Sequence, residues 1–280
     1  MARSEKPLIV EHIYRSLVDP VTGSLTRTVV TNEDVVKAIN WGREVHGLKL
    51  SSKNPANFIK DIIRGMGATA MWPASLKDAR ITARQVTGDG KVFEFVPYAP
   101  DQTEPFPDRF GYREGVWRHQ IQSVSMPLAS KELGRDDETY LIQVAVKLAV
   151  VETHFALRSP LNIVELNHLQ IGIKLRLCEL DSLFAASYID EEGNLKRLVI
   201  TAEAKKKKQR ILEDQVVRQV HAAFEETHVD LVVPIAMTAS AGGIYIAEFK
   251  AVPRQGYESF DVLELETEAL YELVPHVKGI

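Results

Sequence analysis

The sequence predicts an α/β (α+β) protein in two parts, with helices and strands mixed in each. Three observations carry that prediction. Apolar residues recur at helical spacing, as at Phe58, Ile59, Ile62 and Ile63, or at Leu141, Ala145, Leu148, Val151 and Phe155. Shorter windows alternate or run apolar, as at 81–86, 92–96 and 198–202, in the manner of strands. The chain has 280 residues, 45% hydrophobic and 26% charged, which fits one large globular domain or two ordinary ones.

In the first part, Thr31, Asn32, Glu33 and Asp34 put cap-forming residues ahead of Val35, Val36, Ala38 and Ile39 and start a helix. A second helix is expected over 55–66, capped by Asn54 and with Pro55 at its first position. Its apolar stripe is Phe58, Ile59, Ile62 and Ile63, while Asn57, Lys60, Asp61 and Arg64 lie on the other side. The runs 81–86 and 92–96 flank Gly88-Asp89-Gly90 and predict a hairpin. Helix, helix, hairpin is the order of a winged-helix-like DNA-binding module, and also of other small α+β subdomains. Residues 99–118 are rich in Pro, Gly, Asp and Arg and predict a long loop. The expected parts are a DNA-recognition region over 1–130 and a second domain over 131–280.

Asp136-Asp137-Glu138 opens the second part and predicts one helix over 139–157. The runs 171–177 and 179–187 are β-prone. Residues 190–194 predict a turn, and 195–204 a strand with the apolar centre Leu198-Val199-Ile200. A helix over 209–228 is apolar at Ile211, Leu212, Val216, Val220 and Phe224. Strands over 231–237 and 243–251 complete the order, with the Gly-containing stretch 238–243 as the turn between them.

The net charge of −4 does not announce a nucleic-acid partner, but the distribution of charge is uneven. Residues 49–91 hold eight Lys or Arg against three acids, and 196–210 hold seven against one, Glu203. The stretch 251–280, with six acids and two bases, hides both islands in the sum. Two basic islands in a slightly acidic chain suit a polyanion-binding surface, although either island alone reads as a solvated face. No apolar run is long enough for a membrane-spanning helix, and the first residues lack a secretory pattern, so no membrane partner is expected. The single cysteine, Cys178, excludes an internal disulfide and a cysteine zinc cluster, and the expected location is cytoplasmic. The eight histidines are scattered without a His-Glu-x-x-His motif. Phosphate-loop, dinucleotide and Gly-x-Ser-x-Gly fingerprints are also absent. His154 reads as a core or surface histidine, and Trp41, Trp72 and Trp117 read as core.

Glu179-Leu180-Asp181 stands on one predicted strand, and Glu203-Ala204-Lys205 ends the next. The turn at 190–194 makes these strands antiparallel neighbours, so Asp181 lies close to Glu203. Residues two apart share a face, so Glu203 and Lys205 point the same way. Two carboxylates and one ammonium therefore gather at one sheet edge, followed by a helix. Such oxygen ligands suit Mg²⁺, or Mn²⁺ in its place, which bind through one or two carboxylates while keeping waters and substrate phosphates. The cation polarises a scissile phosphate and lowers the pKa of a bound water. A lysine two residues on orients that water or stabilises charge on phosphorus. The letters Asp…Glu-x-Lys also arise at a solvent-exposed strand end. What separates this case is the strand–turn–strand–helix setting and the uncharged run 198–202 leading into Glu203.

Glu179-Leu180-Asp181, the turn, and Val199-Ile200-Thr201-Ala202-Glu203-Ala204-Lys205 resemble the active-site signature of the PD-(D/E)XK nuclease superfamily. The order helix, three strands, helix, strand over 137–250 is similar to that family's core, a restriction-endonuclease-like mixed central sheet flanked by helices. The resemblance implies that Asp181 and Glu203 bind the metal, with the backbone carbonyl of Ala204 as a further ligand, and that Lys205 assists catalysis. Leu180 stands where the family name has proline, a common departure. Glu152 on the preceding helix matches the extra glutamate of some members. Gln215 and Gln219 match glutamines that orient the site or touch a phosphate in others. Among such families the chain looks most like a Type II restriction endonuclease. That implies Mg²⁺-dependent, site-specific hydrolysis of double-stranded DNA by a homodimer.

DNA contacts are expected from Lys53, Asn57, Lys60 and Arg64 in the second helix region and from Arg84 and Gln85 on the hairpin. Lys206, Lys207 and Gln215 are expected to touch phosphates near the site. An ordinary solvated helix face explains the first group equally well. Two alternatives remain open on the sequence. One is a nuclease of the same fold that reads DNA structure or damage, as a repair or junction enzyme does. The other is a non-catalytic winged-helix regulator whose second domain only dimerises.

Overall fold

The computed structural model describes residues 5–64, 68–86, 88–175, 178–206, 209–240 and 242–280. Of the expected DNA contacts, Lys207 lies outside these residues, and Arg64 is described only as the last residue of a helix backbone. The architecture is α+β, with one eight-stranded mixed sheet, one three-stranded sheet and helices against them. No single described helix is long and apolar enough to cross a membrane.

The chain divides into two units, Met1–Asp108 and Arg109–Ile280. The division falls inside the predicted loop and before the expected boundary near 130. The physical reason is a strand that the sequence does not advertise, Arg118–Gln122, which pairs with the C-terminal strand and ties residues after 109 to the second unit.

The first unit runs α1 (Lys6–Leu17), β1 (Val29–Thr31), α2 (Asn32–His46), a 3₁₀ turn (Pro55–Asn57) and α3 (Lys60–Arg64). It continues through α4 (Ala68–Met71), α5 (Ala74–Asp78), β2 (Ile81–Gln85) and β3 (Lys91–Pro97). Thr31 starts α2 as expected. Its hydroxyl accepts from the Asp34 amide while the Asp34 carboxylate accepts from the Thr31 amide, a reciprocal cap. The helix ends at Gly47, whose φ of 64° is the left-handed conformation that closes a C-terminus. The predicted second helix is broken into the 3₁₀ turn and α3, and Asn54 makes no side-chain cap. Its apolar stripe nevertheless holds, since Phe58, Ile59, Ile62 and Ile63 are all buried. The hairpin forms as expected, and β1 adds to it in the order β1-β3-β2, antiparallel throughout. Trp72 is 2% exposed and donates its indole N–H to the Ile81 carbonyl at 2.8 Å. Trp41 instead stacks, half-buried, on His12 at 3.7 Å.

The second unit opens with β4 (Arg118–Gln122), α6 (Leu128–Glu132), α7 (Glu138–Lys147) and α8 (Val150–Leu157). Next come β5 (Asn162–Leu175), β6 (Cys178–Ile189), β7 (Leu195–Lys205) and α9 (Glu213–Glu226). The last strands are β8 (Leu231–Ser240), β9 (Gly243–Phe249), the short β10 (Val252–Pro253) and β11 (Leu265–Val274). The sheet order is β4-β11-β9-β8-β7-β6-β5, with β10 beside β8. Neighbours are antiparallel except β7 with β8 and β11 with β4. Helix, three strands, helix, two strands is the order the sequence predicts, and β4 and β11 extend it.

The predicted single helix 139–157 is two helices meeting at 63°. Ala149 at the break has φ 50°. Both halves bury an apolar set, Leu141, Ile142, Val144 and Ala145 in α7 and Val150, Val151 and Phe155 in α8. The bend lays both sets on the same core as Phe184, Ile200, Ala202 and Ala204. That core takes the even-numbered side chains of β7. The odd-numbered side chains point to the other face, where Val199 packs with Val220, Ala223 and Phe224 of α9.

Candidate active site

The site is built by the β6–β7 hairpin and α9. At its turn, Asp190 accepts from the Asn194 amide at 2.7 Å, and Gly193 takes φ 84°, which a glycine adopts without steric cost. The tight turn fixes the register Ser182 opposite Ala202, and Asp181 and Glu203 each stand one residue beyond that last pair. The Asp181 carboxylate accepts the Ala204 amide at 2.8 Å. Glu203 accepts from the Lys205 ammonium through Oε1 and from the Gln219 amide through Oε2. Lys205 also donates to Gln215 Oε1 at 3.2 Å. Gln215 and Gln219 sit one turn apart on α9, which explains how one helix supplies both.

Two carboxylates, an ammonium and two carboxamides therefore meet on one face, as the spacing predicts for Asp181, Glu203 and Lys205. Glu203 is 0% exposed and Lys205 2%. Asp181 and Gln215 are half-buried and form the solvent side of the cluster. Burial pushes the Glu203 carboxyl up to about 7, the Asp181 charge adds to this, and the Lys205 ammonium opposes it. Burial likewise raises Asp181 above the ordinary carboxylate range. Gln219 Oε1 is buried with no hydrogen-bond partner among the described residues.

The donor set fits a hard divalent cation. Two adjacent acids, each made harder to ionise by burial, are the arrangement a positive ion relieves. Asp181, Glu203 and the Ala204 carbonyl would hold it. Among the described residues there is no cluster of three or more His, Cys, Asp or Glu side chains suited to a metal. Two carboxylates suffice for Mg²⁺, which retains waters and takes substrate phosphates as ligands.

The structure does not bring Glu152 into this group. Its helix, α8, packs in the core that takes the even-numbered residues of β7, whereas Glu203 and Lys205 are odd-numbered. Glu152 Oε2 is buried without a hydrogen-bond partner among the described residues, and burial raises its pKa. Lys206 is half-buried, and its amide donates to Gln209 Oε1 at 3.3 Å.

In the first unit, Lys53 and Asn57 are exposed and Lys60 is half-buried. Arg84 is exposed and pairs with Glu94 at 3.0 Å. Gln85 is 7% exposed, so the expected contact at that position is corrected. Neighbouring strand residues point to opposite faces, and Gln85 takes the inward one. Trp117, expected in the core, is exposed with Arg158 over its ring at 5.1 Å.

Sequence reasoning missed a second buried polar group. Glu248 accepts from Ser159 at 2.6 Å and Thr267 at 2.9 Å, and lies 3.0 Å from His154 Nε2. His154 Nδ1 lies 3.0 Å from the Tyr271 hydroxyl. These residues come from three segments separated by long stretches of chain, 154–159, 248 and 267–271, so no local motif announces them. Comparison with family models, characterised proteins and solved structures finds no match to this chain.

Proposed function

We propose that this protein is a Mg²⁺-dependent, site-specific double-stranded DNA endonuclease that hydrolyses phosphodiester bonds, in the manner of a Type II restriction endonuclease. The observation that carries the reading is the convergence of Asp181, Glu203 and Lys205 across one strand pair, with Lys205 held directly on Glu203. The mixed sheet and its element order support it. Two acids side by side, one of them raised to about 7 by burial, also support a functional site.

Asp181, Glu203 and the Ala204 carbonyl would hold Mg²⁺, which would supply charge neutralisation of a phosphate and a more acidic water. The chain's own groups do the rest. Lys205 presents a positioned ammonium to the attacking water or to a phosphate oxygen. Gln215 fixes Lys205 from α9, and Gln219 fixes the second oxygen of Glu203. The first unit supports a DNA-reading role, because helix, strand, helices and hairpin with sheet order β1-β3-β2 resemble a winged helix. Cutting both strands of a twofold-symmetric site needs two centres, so the reading includes a homodimer, acting in the cytoplasm.

The test is incubation of the chain with phage DNA and Mg²⁺, followed by electrophoresis. Discrete fragments are expected from wild type. Lys205→Ala and Asp181→Ala should each abolish cleavage while duplex binding survives. Cutting at the wild-type rate in either variant would refute the assignment. Cutting confined to branched or damaged substrates would assign a repair or junction nuclease instead. Duplex binding that never leads to cutting would assign a regulator.

A further inference from the structure

One buried cation of the second unit has no place in the cluster described above. Arg210 lies in the connection between β7 and α9, which begins at Lys205 and leads to Gln215. It is 6% exposed, and its Nε and Nη1 are buried with no hydrogen-bond partner among the described residues. Taking a guanidinium out of water without a partner is unfavourable, and nothing in the described fold offsets it. Glu213, the nearest following acid, is already engaged, by Arg109 at 3.1 Å and by the Leu263 amide at 2.7 Å. The Gln209 amide donates to the Lys206 carbonyl at 2.9 Å. Arg210 follows Gln209 directly, in the stretch of chain between Lys205 and Gln215 of the candidate site.

A guanidinium is always charged and presents its donors as a planar fork that matches two phosphate oxygens. The missing partner is therefore an anion, and the surrounding stretch 196–210, with seven bases and one acid, suits a polyanion. We propose that Arg210 receives a backbone phosphate of double-stranded DNA at this site. The nuclease reading supplies the identity of the polyanion, whereas the lack of a partner for Arg210 Nε and Nη1 among the described residues stands without it.

The experiment uses the full chain with Arg210→Met and Arg210→Lys, a labelled mixed-sequence duplex, and anisotropy titrations without Mg²⁺ across a range of salt. Arg210→Met should keep or raise the melting temperature, because an uncompensated buried charge is gone. Its Kd for the duplex should rise about tenfold or more. The slope of log K against log salt should fall by about one. Arg210→Lys keeps the charge, loses the fork, and should weaken binding by a smaller factor with the fold intact. A melting temperature that drops in Arg210→Met while Kd and salt slope stay at wild-type values would show a structural arginine and overturn the proposal. Unchanged binding in both variants, alongside normal cleavage by wild type, overturns the Arg210 assignment alone. If wild type binds the duplex but never cuts it, the nuclease reading falls, and the tenfold loss still supports the phosphate contact. If wild type does not bind duplex DNA, both fall.

Discussion

Glu203→Gln isolates the electrostatic tension at the centre of the site. Glu203 is fully buried, and its carboxyl is displaced from the ordinary 4.5 to about 7, first by burial and then by the Asp181 charge, against the pull of Lys205. The folded-state pKa is the higher one, so the unfolded chain ionises first as pH rises. Stability from this group is therefore full below about pH 4.5 and is lost progressively as pH climbs through about 7. A displacement of that size corresponds to roughly 3 kcal/mol, most of it falling between about pH 5 and pH 8. Glutamine cannot ionise. It can still accept from Lys205 through its carbonyl oxygen, and Gln219 can turn its unpartnered Oε1 toward the new amide. Leaving Lys205 without a carboxylate adds an offset, but the predicted quantity is the change with pH. Denaturant unfolding of both proteins across that range, followed by circular dichroism, measures it. The wild type should lose roughly 3 kcal/mol relative to the variant on going from acid to alkaline conditions. Two stability curves that stay parallel would show that Glu203 does not titrate abnormally, and the electrostatic account of the site would be wrong.

Other perturbations have equally definite outcomes. If the proposed cation site is right, Mg²⁺ should raise the unfolding midpoint of wild type more at about pH 8 than at about pH 5.5, because it would bind the ionised carboxylates, and Asp181→Ala should lose most of that shift in a calorimetric scan. Glu248→Leu leaves His154, Ser159 and Thr267 without their shared acceptor and should cost about 3 kcal/mol or more in chemical denaturation. Trp72→Ala removes a fully packed ring and the Ile81 hydrogen bond, and should cost about 3–5 kcal/mol, visible as early unfolding of the first unit by limited proteolysis. Gly243→Ala places a methyl against the Tyr271 carbonyl across the β9–β11 pair, so the soluble yield of that variant should collapse, whereas Gly193→Asn at the open hairpin turn should be tolerated.

Much of the candidate site was legible because its parts are local. Asp181, Glu203 and Lys205 sit on consecutive strands joined by a five-residue turn, and a tight turn leaves the register almost no freedom. Gln215 and Gln219 follow on the next helix at a spacing that fixes their common face. Glu152 failed because helix periodicity says which residues share a stripe and not which sheet face that stripe meets. Gln85 failed for a related reason, since alternation along a strand does not say which face is inward.

Sequence alone determined the α+β class, the hairpin of the first unit, the order of the second unit's central elements, and the convergence of two acids with one lysine. Each follows from spacing over short separations, where covalent geometry leaves little choice. The tertiary structure decided the break at Ala149, the pairing of β4 with β11, the buried Glu248 group and the burial of Arg210 Nε and Nη1 without a partner among the described residues. These depend on which distant segments compete for the same buried space. That competition is settled by packing and by the cost of removing polar groups from water, and neither is a property of any local stretch of chain.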